Sequence, residues 1–230
     1  LGLTLCNPGD VVLLPNPGYP VFEVGAYLGG AELYFYELRE ENDFLPKFDE
    51  IPEDIARRAK YIMVSYPYNP VCAVAPASFY EELIAYAKKY NIIVVHDNAY
   101  SDIIYDGVRG GSFLEFPGAK EVGIECFSLS KSFNLTGARV SFIIGNREII
   151  DAVKLLRSQY DFGIFEPIQR AAIAALEGPL EPVREQCARY QERRDALCGG
   201  LRSIGWDVRD SQGTMFAWAR IPEGFSSSQQ

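Results

Sequence analysis

The chain has 230 residues, 48% of them apolar and 23% charged, with a net charge of −9 at neutral pH. That is enough for one sizeable domain, or one and part of a second, around a true hydrophobic core, and the composition is not that of a disordered chain. The acidic balance argues against a nucleic-acid footprint, which needs basic groups to neutralise phosphates, and no apolar run is long enough to span a bilayer. Residues 1–5 show neither the basic stretch nor the small-residue cleavage site of a signal peptide, so a soluble, cytoplasmic protein is the expectation. Cys6, Cys72, Cys126, Cys187 and Cys198 are scattered without C-x-x-C spacing, which suits a reducing compartment. The single histidine, His96, and the lack of clustered thiols argue against a structural zinc site. No G-x-S-x-G exists to pair with His96 in a hydrolytic triad.

In chain order, residues 11–14 read as a strand ending at Pro15, and residues 32–38 as another. Residues 61–65 and 92–96 are continuous apolar runs of the kind buried on both faces of a mostly parallel sheet, and residues 123–129 and 140–144 are similar. Between them, Ser78 with Glu81 has the spacing of a capping box, followed by Phe79, Leu83, Tyr86, Ala87 and Tyr90 on one helical face. Asn146 is placed to cap a helix whose inner face is Ile149, Val153, Leu156 and Tyr160. Pro167 and Gly178-Pro179 frame an alanine-rich helix. Near residue 179 the texture changes to a long charged helix over 181–202, then strand-like stretches at 206–208 and 214–221 and a polar end at 226–230. The expectation is an α/β fold, a mostly parallel sheet with helices on both faces over residues 1–180, with an unfinished smaller α/β unit over 181–230.

Ligands of such sheets sit outside the carboxyl ends of the strands. Just past three predicted strands come Tyr66-Pro67-Tyr68-Asn69-Pro70, His96-Asp97-Asn98-Ala99-Tyr100 and Ser128-Leu129-Ser130-Lys131-Ser132, with Arg139 eight residues further on. Singly, each has an ordinary reading: Asn69-Pro70 as a turn, Asp97 as a helix cap, the serines as turn residues, Lys131 as an exposed charge, Arg139 as half of a surface ion pair. Together, a carboxylate, a lysine amine, hydroxyls and an arginine suit a phosphorylated pyridine aldehyde.

The stretch from Ser128 through Lys131 to Thr136-Gly137-Ala138-Arg139 resembles the cofactor-lysine motif of class I/II aminotransferases, the fold type I enzymes dependent on pyridoxal 5'-phosphate (PLP). His96-Asp97-Asn98-Ala99-Tyr100 resembles their D-x-A-Y motif, residues 65–70 their Y-P-x-N-P-T-G motif, and Pro15-Asn16-Pro17-Gly18-Tyr19-Pro20 their P-x-Y-P turn. Tyr190-Gln191-Glu192-Arg193-Arg194-Asp195 and Pro222-Glu223-Gly224-Phe225 are similar to the LL-diaminopimelate aminotransferase-like members.

The resemblance implies PLP held by Lys131, which also serves as the general base at the substrate Cα. It implies that Asp97 pairs with the ring nitrogen, that Asn69 and Tyr100 bond the 3' oxygen, and that Tyr19 stacks on the ring. Ser128, Ser130 and Arg139 would hold the phosphate. It further implies amino-acid and 2-oxo-acid substrates and a homodimer, with the chain beginning after the glycine-rich turn of such enzymes and stopping before their substrate-carboxylate arginine. Val71 and Cys72 stand where the family has Thr-Gly, Tyr68 where many members have Asn, Ala138 where a large residue is common, and Ser141 in place of a glycine. If that backbone needs positive φ, Cys72 is strained. A PLP-dependent lyase on the same fold, or an inactive relative that only binds a ligand or partner, are the alternative readings.

Overall fold

The computed structural model of the chain describes residues 1–227; Ser228, Gln229 and Gln230 of the polar end lie outside the described residues. Six strands, β1 (Val11–Asn16), β2 (Glu32–Glu37), β3 (Ala59–Ser65), β4 (Ile93–Asp97), β5 (Gly123–Ser128) and β6 (Ser141–Gly145), form one sheet in the order β2-β1-β3-β4-β5-β6. All neighbours are parallel except β5 and β6. The apolar runs of β1, β3 and β4 lie in the centre because helices cover both faces. Val11, Leu13, Ile62, Val64 and Val94 pack on one face with Phe79, Leu83 and Phe113. Val12, Leu14, Tyr61, Met63 and Val95 pack on the other with Phe22, Ala26 and Ile149. Alternate side chains thus serve two cores, as the two-residue period of a strand requires.

The first face is covered by α3 (Glu53–Arg58), α4 (Ala77–Tyr90) and α5 (Ala119–Val122), the second by α1 (Gly2–Leu5), α2 (Pro20–Leu28) and α7 (Arg147–Tyr160). The capping box expected of Ser78 and Glu81 does not form. Helix α4 is capped two residues earlier, at Pro76, whose carbonyl accepts Phe79 N–H at 3.1 Å, so Ser78 already lies inside the first turn. Asn146 does cap α7, its Oδ1 accepting Glu148 and Ile149 N–H at 3.0 and 3.2 Å. Only the first half of α7 is buried, however. Ile149 and Val153 meet the sheet, whereas Leu156 and Tyr160 are 37% and 77% exposed because the helix runs on past the edge strand β6.

The short α6 (Leu129–Ser132) follows β5 directly; α8 (Glu166–Glu177), with Pro167 in its first turn, and α9 (Glu181–Ser203) complete the helices among the described residues. Strands at 206–208 and 214–221 are not formed beyond one isolated bridge, Val208 to Ala219. The backbone there bonds elsewhere: Gln212 and Gly213 N–H donate to Cys72 O, Thr214 N–H to Ile103 O, and Tyr105 N–H to Gln212 O. The segment is a strap stitched across two loops of the sheet rather than a ladder of its own.

Ile62 sits fully buried in the strand between β1 and β4. Ile62→Ala is expected to lower unfolding free energy by about 2–5 kcal/mol, read as a lower urea midpoint with an unchanged slope.

Candidate active site

The strand order steps from β1 outward to β2 and back across to β3, so a crevice opens between the carboxyl ends of β1 and β3. Tyr19 follows β1, Asn69 follows β3, Asp97 ends β4 with Tyr100 three residues on, and Ser128 ends β5 with Ser130 and Lys131 just after it. Arg139 reaches the same edge because β6 runs antiparallel, with Ser141 opposite Ser128. Four segments far apart in sequence therefore meet at one rim.

Tyr100 is the hub. Its hydroxyl is pushed up to about 12 by burial, with Asp97, Tyr19 and Cys72 close enough to add to the effect and the Asn69 side chain bonding it in partial offset. The Lys131 ammonium lies 5.9 Å from the centroid of its ring. Asp97 is partly buried, and desolvation raises its carboxyl above the ordinary 3.8; the neighbouring His96 and an N–H from Ala99, 3.2 Å from Oδ1, only partly offset this. Beside it in register is the thiol of Cys126, which burial and Asp97 push up to about 12.

On the other flank, Ser128 caps α6, its Oγ accepting Ser130 N–H at 3.2 Å. Thr136 Oγ1 donates to Ser130 O at 2.9 Å, and the Thr136 carbonyl accepts from Arg139 Nη1 at 3.0 Å. Arg139 itself is exposed and in the left-handed region (φ 54°), which turns the chain back toward the rim. Among the described residues none of Asp97, Lys131 and Arg139 has an ion-pair partner within 4 Å, although surface pairs abound elsewhere. A carboxylate short of a cation and two cations short of an anion share one rim, an arrangement suited to a ligand carrying a cation at one end and an anion at the other.

Sequence reasoning missed several residues that shape the rim. Tyr68, fully buried, donates its hydroxyl to Pro17 O at 2.8 Å and so ties the turn holding Tyr19 to the turn holding Asn69. Phe216 of the strap meets the Tyr100 ring edge-on at 6.0 Å, and Gln186 of α9 donates to Lys131 O at 2.8 Å. The readable signal was a charged residue, Glu125, inside an apolar run: its carboxylate takes bonds from His96, Asn98, Ser112 and Phe113. Cys72, as its family position suggested, has positive φ (64°), the left-handed region that favours glycine.

The family profile described as aminotransferase class I and II matches residues 1–228. The chain belongs to that family. It is 46% identical over 228 residues to the LL-diaminopimelate aminotransferase of Moorella thermoacetica, covering 98% of this chain and 58% of the relative. It is 48% identical over 223 residues to that of Halothermothrix orenii, covering 97% and 57%. Among solved structures, the substrate-bound BacF of Bacillus subtilis superposes with a TM-score of 0.94 at 42% identity, over 99% of this chain and 58% of that one. The chain thus spans somewhat over half the length of these family members. No helix among the described residues is long and apolar enough to cross a membrane.

The raised Asp97 fixes the sign of a stability effect. A carboxyl whose folded-state pKa is raised contributes stability that is full below its ordinary 3.8 and is lost as pH rises through the raised value. Asp97→Asn lacks that loss. Without added ligand at pH 7 the variant is expected to melt at a higher temperature than the parent, the difference vanishing below pH 3.8; a lower melting temperature at pH 7 would contradict the assignment.

Proposed function

We propose that this chain is the lysine-bearing part of a PLP-dependent aminotransferase that moves an amino group from an amino acid to a 2-oxo acid, with LL-diaminopimelate-like substrates as the class its relatives' names suggest. The observation that carries this reading is the set of charges without an ion-pair partner at the rim: Asp97 and Lys131, both beside Tyr100, and Arg139 on the turn before β6. These residues fit the cofactor: a partly buried carboxylate seeks a cationic N–H such as a protonated ring nitrogen, and an unpaired arginine beside two serines seeks a phosphate. When bound, PLP supplies an electron sink conjugated to the substrate Cα.

Asp97 keeps the ring nitrogen protonated, and its desolvated carboxylate gains more from that contact than a solvated one would. Tyr100 and Asn69, already facing each other, hold the 3' oxygen. Tyr19, half-exposed, covers the ring face. Ser128, Ser130 and Arg139 bind the phosphate and orient the ring. Lys131 would hold the cofactor through its Nζ, and its amine would serve as the general base toward the substrate Cα proton. Residues 1–180 form the cofactor-binding unit and 181–230 begin a smaller one. Two copies pair as a homodimer, a reading supported by exposed Val21, Val24, Tyr27 and Leu28 on α2 and exposed Phe162 and Phe165 before α8. The cytoplasm is the setting that five free cysteines favour.

Titrating the chain with PLP is expected to produce a visible absorbance band that Lys131→Ala lacks, and borohydride reduction is expected to fix the label on the peptide containing Lys131. Addition of an amino donor is expected to bleach the band and a 2-oxo acid to restore it. The same band in Lys131→Ala, or a label elsewhere, would overturn the reading.

A further inference from the structure

β4 alternates at its end: His96 faces the core under α4 and Asp97 the rim. In the parallel register His96 lies beside Glu125, and Asp97 beside Cys126. Glu125 is 7% exposed and His96 fully buried. The Glu125 Oε2 is 2.9 Å from His96 Nδ1, 3.0 Å from Ser112 Oγ and 2.8 Å from Phe113 N, and Oε1 is 3.2 Å from Asn98 Nδ2. An ionised carboxylate only accepts, so the proton of the histidine contact sits on Nδ1. Burial alone would raise the Glu125 carboxyl, but the bonds and charge of His96, with Asn98 and Ser112, hold it below its ordinary value.

The four donors are not scattered. His96 and Asn98 are the two chain neighbours of Asp97, and Asn98 and Ser112–Phe113 are the two ends of the loop that carries Tyr100. Turning Asp97 or shifting Tyr100 therefore requires breaking bonds to a buried anion. Burying a charge to no structural end is unfavourable compared with an apolar residue of the same volume.

We propose that Glu125 is the positioning residue for Asp97 and Tyr100, a buried clamp behind the rim that fixes both groups from the opposite face of the sheet. The roles of Asp97 and Tyr100 toward a cofactor rest on the function proposed above; the clamp itself rests on the geometry of Glu125. Glu125→Gln keeps the size but removes the charge and sets an NH2 among donors. In the full chain without cofactor, amide hydrogen exchange over residues 98–113 is expected to rise at least about tenfold while that of β1 and β3 stays unchanged. In PLP titrations the dissociation constant is expected to rise about tenfold in Glu125→Gln and by about threefold or less when the same substitution is made in Asp97→Asn, because the route through Asp97 is then already lost and only that through Tyr100 remains. Should Glu125→Gln not fold, Ser112→Ala, which removes one donor, is expected to show the same pattern at about threefold. Unchanged exchange over 98–113, or an equal loss of affinity in both backgrounds, overturns the clamp. Faster exchange in the variant together with a parent that shows no Lys131-dependent band supports the clamp and overturns the cofactor reading instead.

Discussion

The register that sets His96 beside Glu125 and Asp97 beside Cys126 divides the end of β4 between two environments, and the rest of the site follows from that division. On one face a carboxylate is satisfied by four donors and stays charged although buried. On the other, one residue away, a carboxylate has a single N–H from Ala99 and is pushed toward its neutral form. Both carboxylates lie at the end of the same pair of strands, so their opposite shifts come from hydrogen-bond supply and not from depth alone. A slip of one residue between β4 and β5 would exchange those supplies, which is why the cores on both faces, by fixing the register, also fix the chemistry at the rim.

Packing supplies that rigidity where the rim cannot supply it for itself. The rim is made of turns and loop residues: Asn69, Tyr19 and the stretch from Ser128 to Arg139, of which the last has a small core of its own around Leu129. Each turn is tied back to something buried. Tyr68 bonds Pro17, Glu125 bonds Asn98 and Phe113, and Thr136 bonds Ser130. At α9, Arg194, nearly buried, grips Asp106 through two contacts of 2.6 and 2.9 Å and also donates to Ser211 O at 2.9 Å. That joins the loop after Tyr100 to the strap that covers it. A rim with unpaired charges is destabilising in isolation, and these ties are what let the fold retain it.

The strands were legible because burial on both faces writes itself as unbroken apolar runs, as at residues 61–65 and 92–96. The candidate site residues could be picked out because they follow those runs at short intervals. What the sequence concealed were interactions with no local period. Trp206, Val208 and the residues after Thr214 have strand-forming side chains, yet Trp206 N–H donates to Leu201 O, and the long-range backbone bonds of this segment are made by Gln212, Gly213 and Thr214 with Cys72, Ile103 and Tyr105, more than a hundred residues away. Leu156 and Tyr160 continue the helical stripe of α7, but a stripe cannot tell where the sheet beneath it ends. Ser78 and Glu81 had the right spacing for a cap, yet Pro76 takes the cap position and the helix begins two residues too early for them. Glu125 was visible only as an exception, a charge where the pattern called for an apolar residue.

Cys72 shows how a local departure is absorbed by distant structure. A side chain at φ 64° costs about 1–2 kcal/mol relative to glycine. The turn is nevertheless held: Cys72 N–H donates to Tyr68 O at 2.7 Å, and its carbonyl accepts from both Gln212 and Gly213. Thr214 Oγ1 lies 3.4 Å from its sulfur, and Val74 N–H is taken by the Gln212 side chain at 2.8 Å. Gly213 is required at that crossing, since a Cβ there would stand 2.8 Å from Ile103 O and 3.0 Å from Pro67 Cβ. The strap is therefore seated against the Cys72 turn by backbone contact and delivers Phe216 to the edge of Tyr100. The positive φ at Cys72 and the contact of Phe216 with Tyr100 thus belong to one linked structure: the turn that holds Cys72 also seats the strap that carries Phe216.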